Sequence, residues 1–264
     1  MIGELVIDKG SLMSHNLKKP KGLILDFGGV VVETKALSGW EGEVVKSIQK
    51  IVDIDSERIY NDLVAGQTAA KLWRNAMSRP KFPPELTHEE FVLEFIAADW
   101  GDAAREALRS HVSEISYQVV YLAESRVTRN GMEELLLWCE KENIPVAISS
   151  NALCGQMHRD YLIEHKLDHY FKAEIYSDEA GVRKPNPLLV QKAADAIGID
   201  VEECWYVGDH YDRDVLCGKR ANAGASILMK VPNAATRPFK VYVEPDLIVQ
   251  DPVELLEALK NAKG

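Results

Sequence analysis

Gly22-Leu23-Ile24-Leu25-Asp26-Phe27-Gly28-Gly29-Val30-Val31 is the stretch on which the fold turns. A short uncharged run leads straight into a carboxylate, and two glycines follow. A run this short and without polar alternation fits a strand buried on both faces of a parallel sheet. In open α/β sheets ligands bind outside the carboxyl ends of the strands, which is where Asp26 would stand.

Working outward, runs of the same kind recur at 144–149, 173–176, 204–207, 225–229 and 247–249. Helical spacing of apolar residues separates most of them, at 131–142, 187–197 and 212–223, and a last helical pattern at 252–262 closes the chain. Strands alternating with helices predict an α/β protein with a doubly wound, Rossmann-like parallel sheet. The interval from Glu33 to Arg126 breaks the rhythm. It shows helical patterns (40–52, 56–63, 69–77, 88–98), punctuation by Pro80, Pro83 and Pro84, and no strand. The expected organisation is therefore a leader at 1–19, an α/β core from 20–32 and 127–264, and an α-helical cap domain at 33–126.

The bulk properties exclude more than they name. The 264 residues suit one core plus an insertion. A net charge of −10 argues against nucleic acid and anionic membranes as partners, because phosphate backbones need a basic face. Cys139, Cys154, Cys204 and Cys217 are too sparse for a disulfide scaffold, and no two share metal-ligand spacing, so reduced thiols in a cytoplasmic protein are expected. The first twenty residues do not read as a signal peptide, and Met13 is an alternative start.

Three predicted strand ends deliver polar residues to one edge: Asp26, then Ser150-Asn151, then Gly208-Asp209. Lys184, in Gly181-Val182-Arg183-Lys184-Pro185, joins them from a loop. Two carboxylates suit a hard divalent cation, and a lysine and a hydroxyl suit phosphoryl oxygens. One carboxylate is then free to attack phosphorus.

These motifs, in this order, resemble those of the haloacid dehalogenase superfamily. Asp26-Phe27-Gly28-Gly29 is similar to its first motif, Ser150-Asn151 to its second, Lys184-Pro185 to its third, and Gly208-Asp209 through Asp214 to its fourth. The resemblance implies a Mg²⁺-dependent phosphatase of a small phosphorylated metabolite, working through an aspartyl-phosphate. Carried over by position, Asp26 is the nucleophile and a metal ligand, and the Gly28 carbonyl is a second ligand. Asp209 and Asp214 complete the metal set. Ser150, Asn151, Gly28 and Gly29 hold the phosphoryl group, and Lys184 balances its charge. Asp212 is expected at the surface, as an acidic residue in a helix's first turn.

One position departs from the family pattern. Phosphatases of this family usually carry an acid/base aspartate two residues after the nucleophile, and here that residue is Gly28. Losing such a group typically costs about 10²–10⁴ in rate. His210, Glu33, His88 or His111 would have to supply the proton, or the substrate would need a good leaving group. The alternatives are a chemistry that displaces halide or cleaves a carbon–phosphorus bond, or a non-catalytic phosphate-binding role. Retention of both Asp209 and Asp214 favours phosphoryl transfer. Arg74 and Arg126 suit a second anionic group but are read as ordinary surface arginines, and Trp40, Trp73, Trp100 and Tyr117 as packing residues.

Overall fold

The computed structural model describes residues 17–231 and 241–263. The proposed start at Met13 and most of the 1–19 leader lie outside the described residues. Six parallel strands form the main sheet: β1 (Gly22–Leu25), β4 (Val146–Ser150), β5 (Phe171–Tyr176), β6 (Cys204–Gly208), β7 (Ala225–Met229) and β8 (Leu247–Val249). Their spatial order is β5-β4-β1-β6-β7-β8. The chain steps from β1 to one side through β4 and β5, then returns to build the other side. That reversal puts the topological switch point at β1, with β4 and β6 as its neighbours.

Side-chain alternation explains why β1 needs apolar residues throughout. Leu23 and Leu25 enter one core with Val146, Ile148 and Val207, beneath helices Met132–Lys141 and Pro252–Asn261. Ile24 points the other way, into a core with Ala147, Tyr206, Val190 and Ala194. Helices Leu188–Ile197 and Leu216–Ala221 cover that face. All four cysteines are free and buried.

Residues 41–123 carry helices joined by loops and supply most of a third core, including Val44, Ile48, Ile59, Leu63, Phe91, Trp100 and Ile115, to which Leu153 adds from the sheet side. The two patterns expected at 56–63 and 69–77 are one helix, Ser56–Ala76, capped by Asp55, which accepts from the Glu57 and Arg58 amides. Gly66 lets this helix lie against the π-helical turn Glu90–Ile96, since a Cβ there would collide with the Phe95 carbonyl. Trp40 and Trp100 are buried in this cluster, and Trp73 packs at its edge.

The structure corrects the sequence reading at both ends of the helical segment. Two strands stand where none was expected: β2 (Val32–Ala36) and β3 (Glu124–Thr128), paired antiparallel with Thr34 opposite Arg126. Their sequences, VETKA and ESRVT, are mostly polar, and four of the five β2 residues are exposed. With no apolar alternation to read, pairing of this ribbon is visible only in three dimensions. No helix among the described residues is long and apolar enough to cross a membrane.

Candidate active site

A cavity of about 240 Å³ opens at the carboxyl edge of β1, β4 and β6. Asp26, Gly28, Gly29, Ser150, Asn151, Lys184 and Asp209 all line it. Asp214 is buried behind the lining and reaches the site through Lys184, whose Nζ lies 2.5 Å from Asp214 Oδ1 and 2.8 Å from Asp26 Oδ2. Lys184 is 1 % exposed, so this ammonium exists only because carboxylates surround it. Burial alone would push its pKa down, but Asp214 and Asp26 outweigh that and hold it above the ordinary lysine value.

The carboxylates are held apart in role by their partners. Burial pushes the Asp26 carboxyl above the usual range; Lys184 opposes this, and the charges of Asp214 and Asp209 add to it. Its Oδ1 accepts from the Phe27 amide at 2.8 Å. Asp214 is fully engaged by protein: Oδ1 accepts from Tyr206 Oη at 2.8 Å, and Oδ2 from the His210 amide at 2.9 Å. Despite burial, Lys184 and His210 hold it well below the ordinary carboxylate value. Asp209 meets His210 Nδ1 through Oδ1. Its Oδ2 faces Gly29, where a Cβ would clash and where φ is +77°.

Asp26 and Asp214 share the Lys184 ammonium, and Asp209 stands at the same edge beside His210. Carboxylate and carbonyl oxygens gathered in one place fit a hard divalent cation. Asp26, Asp209 and the Gly28 carbonyl could hold one, with Asp214, whose carboxylate lies close to Asp209 and His210, behind them; Asp214 also fixes Lys184 and the turn after β6.

Asn151 lines the cavity and also bonds the backbone of Lys184. Its Oδ1 accepts from the Lys184 amide at 2.7 Å and its Nδ2 donates to the Lys184 carbonyl at 3.3 Å. The amide therefore locks the backbone that carries the ammonium. Asp212 is not at the surface. It is 1 % exposed, because the wide π-helical turn Tyr211–Val215 turns it inward with Asp214 and Val215.

Sequence reasoning missed several residues. Arg129 is 6 % exposed and donates to the carbonyls of Gly29 (2.5 Å), Gln250 (2.8 Å) and Lys230 (3.2 Å), so it braces the Asp26 loop against the ends of β7 and β8. His158 stacks flat on Phe27 with ring centroids 4.1 Å apart, and burial, aided by Arg126, pushes its pKa down to about 3, so it is neutral. Glu124 and Arg126 reach the cavity from β3, and Arg126 is buried rather than a surface residue. Among the four proton donors considered from sequence, only His210 lines the cavity. Glu33 points to Arg129 at 3.9 Å, His88 bonds Ser113 Oγ and the Leu153 carbonyl, and His111 contacts Glu114.

A family model for haloacid dehalogenase-like hydrolases matches residues 20–222. The chain belongs to this family. Among curated relatives of this haloacid dehalogenase-like chain, a glyceraldehyde 3-phosphate phosphatase of Methanopyrus kandleri is 32% identical over 115 residues, covering 44% of this chain and 48% of that protein. A phosphoserine phosphatase of Thermus thermophilus is 31% identical over 129 residues, covering 48% and 50%. The chain thus spans about half the length of these curated relatives. A HAD phosphatase from Thermococcus onnurineus has a similar fold, with a TM-score of 0.55 at 14% identity, covering 92% of this chain and 99% of that one.

Proposed function

We propose that this haloacid dehalogenase-like hydrolase is a Mg²⁺-dependent phosphatase of a small phosphorylated metabolite. The observation that carries the reading is the buried Lys184 ammonium between Asp26 and Asp214 in a cavity that also holds Asp209. A binding protein needs no buried carboxylate paired this way. The names of the curated relatives, phosphatases of small phosphate esters, support the same class.

Asp26 is the proposed nucleophile. A carboxylate oxygen attacks phosphorus, the ester oxygen leaves with the electron pair of the P–O bond and takes up a proton, and water then hydrolyses the aspartyl-phosphate. Lys184 neutralises the phosphoryl oxygens, and Ser150 at the end of β4 donates to them. Asp26, Asp209 and the Gly28 carbonyl, with Asp214 behind them, would hold Mg²⁺, which would supply charge neutralisation at the phosphoryl group. The segment 33–126 is the proposed cap, excluding water from the reacting atoms and selecting the substrate. With Gly28 in place of an acid, substrates whose leaving group needs little protonation are the ones favoured.

Phosphate release from sugar phosphates, nucleotides and p-nitrophenyl phosphate, with Mg²⁺ or a chelator, tests this in wild type and Asp26→Asn. Metal-dependent release that Asp26→Asn abolishes supports the reading; chelator-insensitive activity rejects it.

A further inference from the structure

Beyond the first cavity lies a larger one of about 530 Å³, between the helical segment and the sheet edge. The two share Glu124, Arg126, Asn151, His158, His210 and Arg213, so they form one continuous space. In a chain of net charge −10, this second cavity has the opposite sign. Lys71, Arg74, Arg126, Arg183 and Arg213 line it against only two carboxylates, Glu85 and Glu124.

Those two carboxylates are already committed. Glu85 Oε1 accepts from Arg183 Nη1 at 2.6 Å and from the Leu86 amide at 2.8 Å, and Oε2 accepts from Ser177 Oγ at 2.6 Å. Glu124 Oε2 accepts from Arg126 at 3.1 Å. Arg74 is left with Glu85 only at 4.0 Å. Its Nε and Nη2, and the Nε of Arg183, are buried without a hydrogen-bond partner. Arg183 itself is 3 % exposed. Buried donors are normally satisfied, and guanidinium groups left open in a cavity mark a place where an anion supplies the missing acceptors. Burial also lowers the pKa of Arg74 and Arg183, an expense that a bound anion offsets.

We infer that the second cavity binds an acidic group on the substrate, with Arg74 and Arg183 as its main ligands. The substrate class is then a phosphomonoester carrying a second anionic group, a carboxylate or another phosphate, away from the reacting phosphorus. This rests on the phosphatase reading for the first cavity and adds the chemistry of the substrate's tail. Arg74 comes from helix Ser56–Ala76 and Arg183 from the loop that carries Lys184, so a tail bound by both joins the helical segment to the reacting site.

Two compounds that differ only in the tail test the inference: 3-phosphoglycerate, with a carboxylate, and glycerol 1-phosphate, with a hydroxymethyl group in its place. Their affinities are measured by calorimetry on Asp26→Asn, which removes the proposed nucleophile, and on Asp26→Asn/Arg74→Gln. The expected result is 3-phosphoglycerate binding about 10- to 100-fold tighter, the range for hydrogen bonds to charged groups, with the preference lost in the double variant and partly kept with Arg74→Lys. Equal affinity, no measurable binding of either compound, or a preference that Arg74→Gln leaves intact overturns it. Phosphate release from p-nitrophenyl phosphate by wild type separates the two readings. Release without a tail preference removes only the second site, and a tail preference without release removes only the phosphatase.

Discussion

Restoring a carboxyl at Gly28 is the most informative perturbation of the proposed chemistry. A Cβ built on Gly28 meets nothing within 4 Å, and its φ is not in the left-handed region, so Gly28→Asp introduces no strain. The new carboxyl would enter the cavity already lined by Asp26 and Asp209. A like charge at ~6 Å in an effective dielectric of ~20 costs about 3 kcal/mol, which raises a carboxyl pKa by about two and favours the protonated, proton-donating form. General acid catalysis of this kind is worth about 10²–10⁴ in rate, or about 3–5 kcal/mol of barrier. The assay is kcat/KM on an alkyl phosphate, whose leaving group needs a proton, beside p-nitrophenyl phosphate, whose leaving group does not. The expected result is a gain confined to the alkyl phosphate, with the melting temperature lowered by no more than the ~6–12 °C that this ~3 kcal/mol is worth at this size. Gly28→Asn, of equal size without the proton, gives no gain. Equal gains on both substrates, or an equal gain from Gly28→Asn, refute the reasoning.

Three further outcomes follow from the same geometry. Lys184→Met leaves Asp26 and Asp214 without their shared cation, at a cost of about 3–5 kcal/mol and a fall in melting temperature of roughly 6–20 °C; calorimetry showing less than 1 °C of change would remove Lys184 as the electrostatic centre. Arg129→Met strips the clamp from three carbonyls at about 1–3 kcal/mol each. It is expected to lower kcat more than it changes KM, while Arg129→Lys recovers part of the loss; full activity in the Met variant contradicts a positioning role. His88 ties the helical segment to the core, and the Asp178 carboxylate, 3.4 Å from its Nε2, together with nearby Cys154 raises its pKa to about 10. Because the folded value lies above the unfolded one, its stabilisation is complete below about pH 6.5 and fades as pH rises towards 10. The difference in urea midpoint between wild type and His88→Gln should shrink over that window, and a difference that is constant with pH argues against a charged His88.

Much of this was readable before any coordinates. All six main-sheet strands were signalled by apolar runs, because burial on both faces leaves no room for charged residues in β1, β4, β6 or β7. The residues at those strand ends were legible for the same reason, since a carboxylate closing such a run is conspicuous. The β2–β3 ribbon was not, because its polar residues pair through backbone alone and carry no period. Missing it hid Thr34 and Glu124 from the cavity they line and left Arg126 read as a surface residue. Arg74, named from sequence but read as a surface residue, and Arg183, not named, met a different limit, for a buried arginine and a solvated one look the same in sequence. Asn151 was placed at the right strand end, yet which atoms its amide would engage depends on a loop 33 residues away.

The central claim is that Asp26 carries the phosphoryl group during turnover. Acid quenching of wild-type protein during hydrolysis of its best substrate, followed by peptide mass spectrometry, tests it directly. The account predicts one phosphoryl group on the peptide containing Asp26, removed by hydroxylamine and absent from Asp26→Asn. Turnover with no phosphorylated peptide, together with undiminished phosphate release from Asp26→Asn, would contradict it.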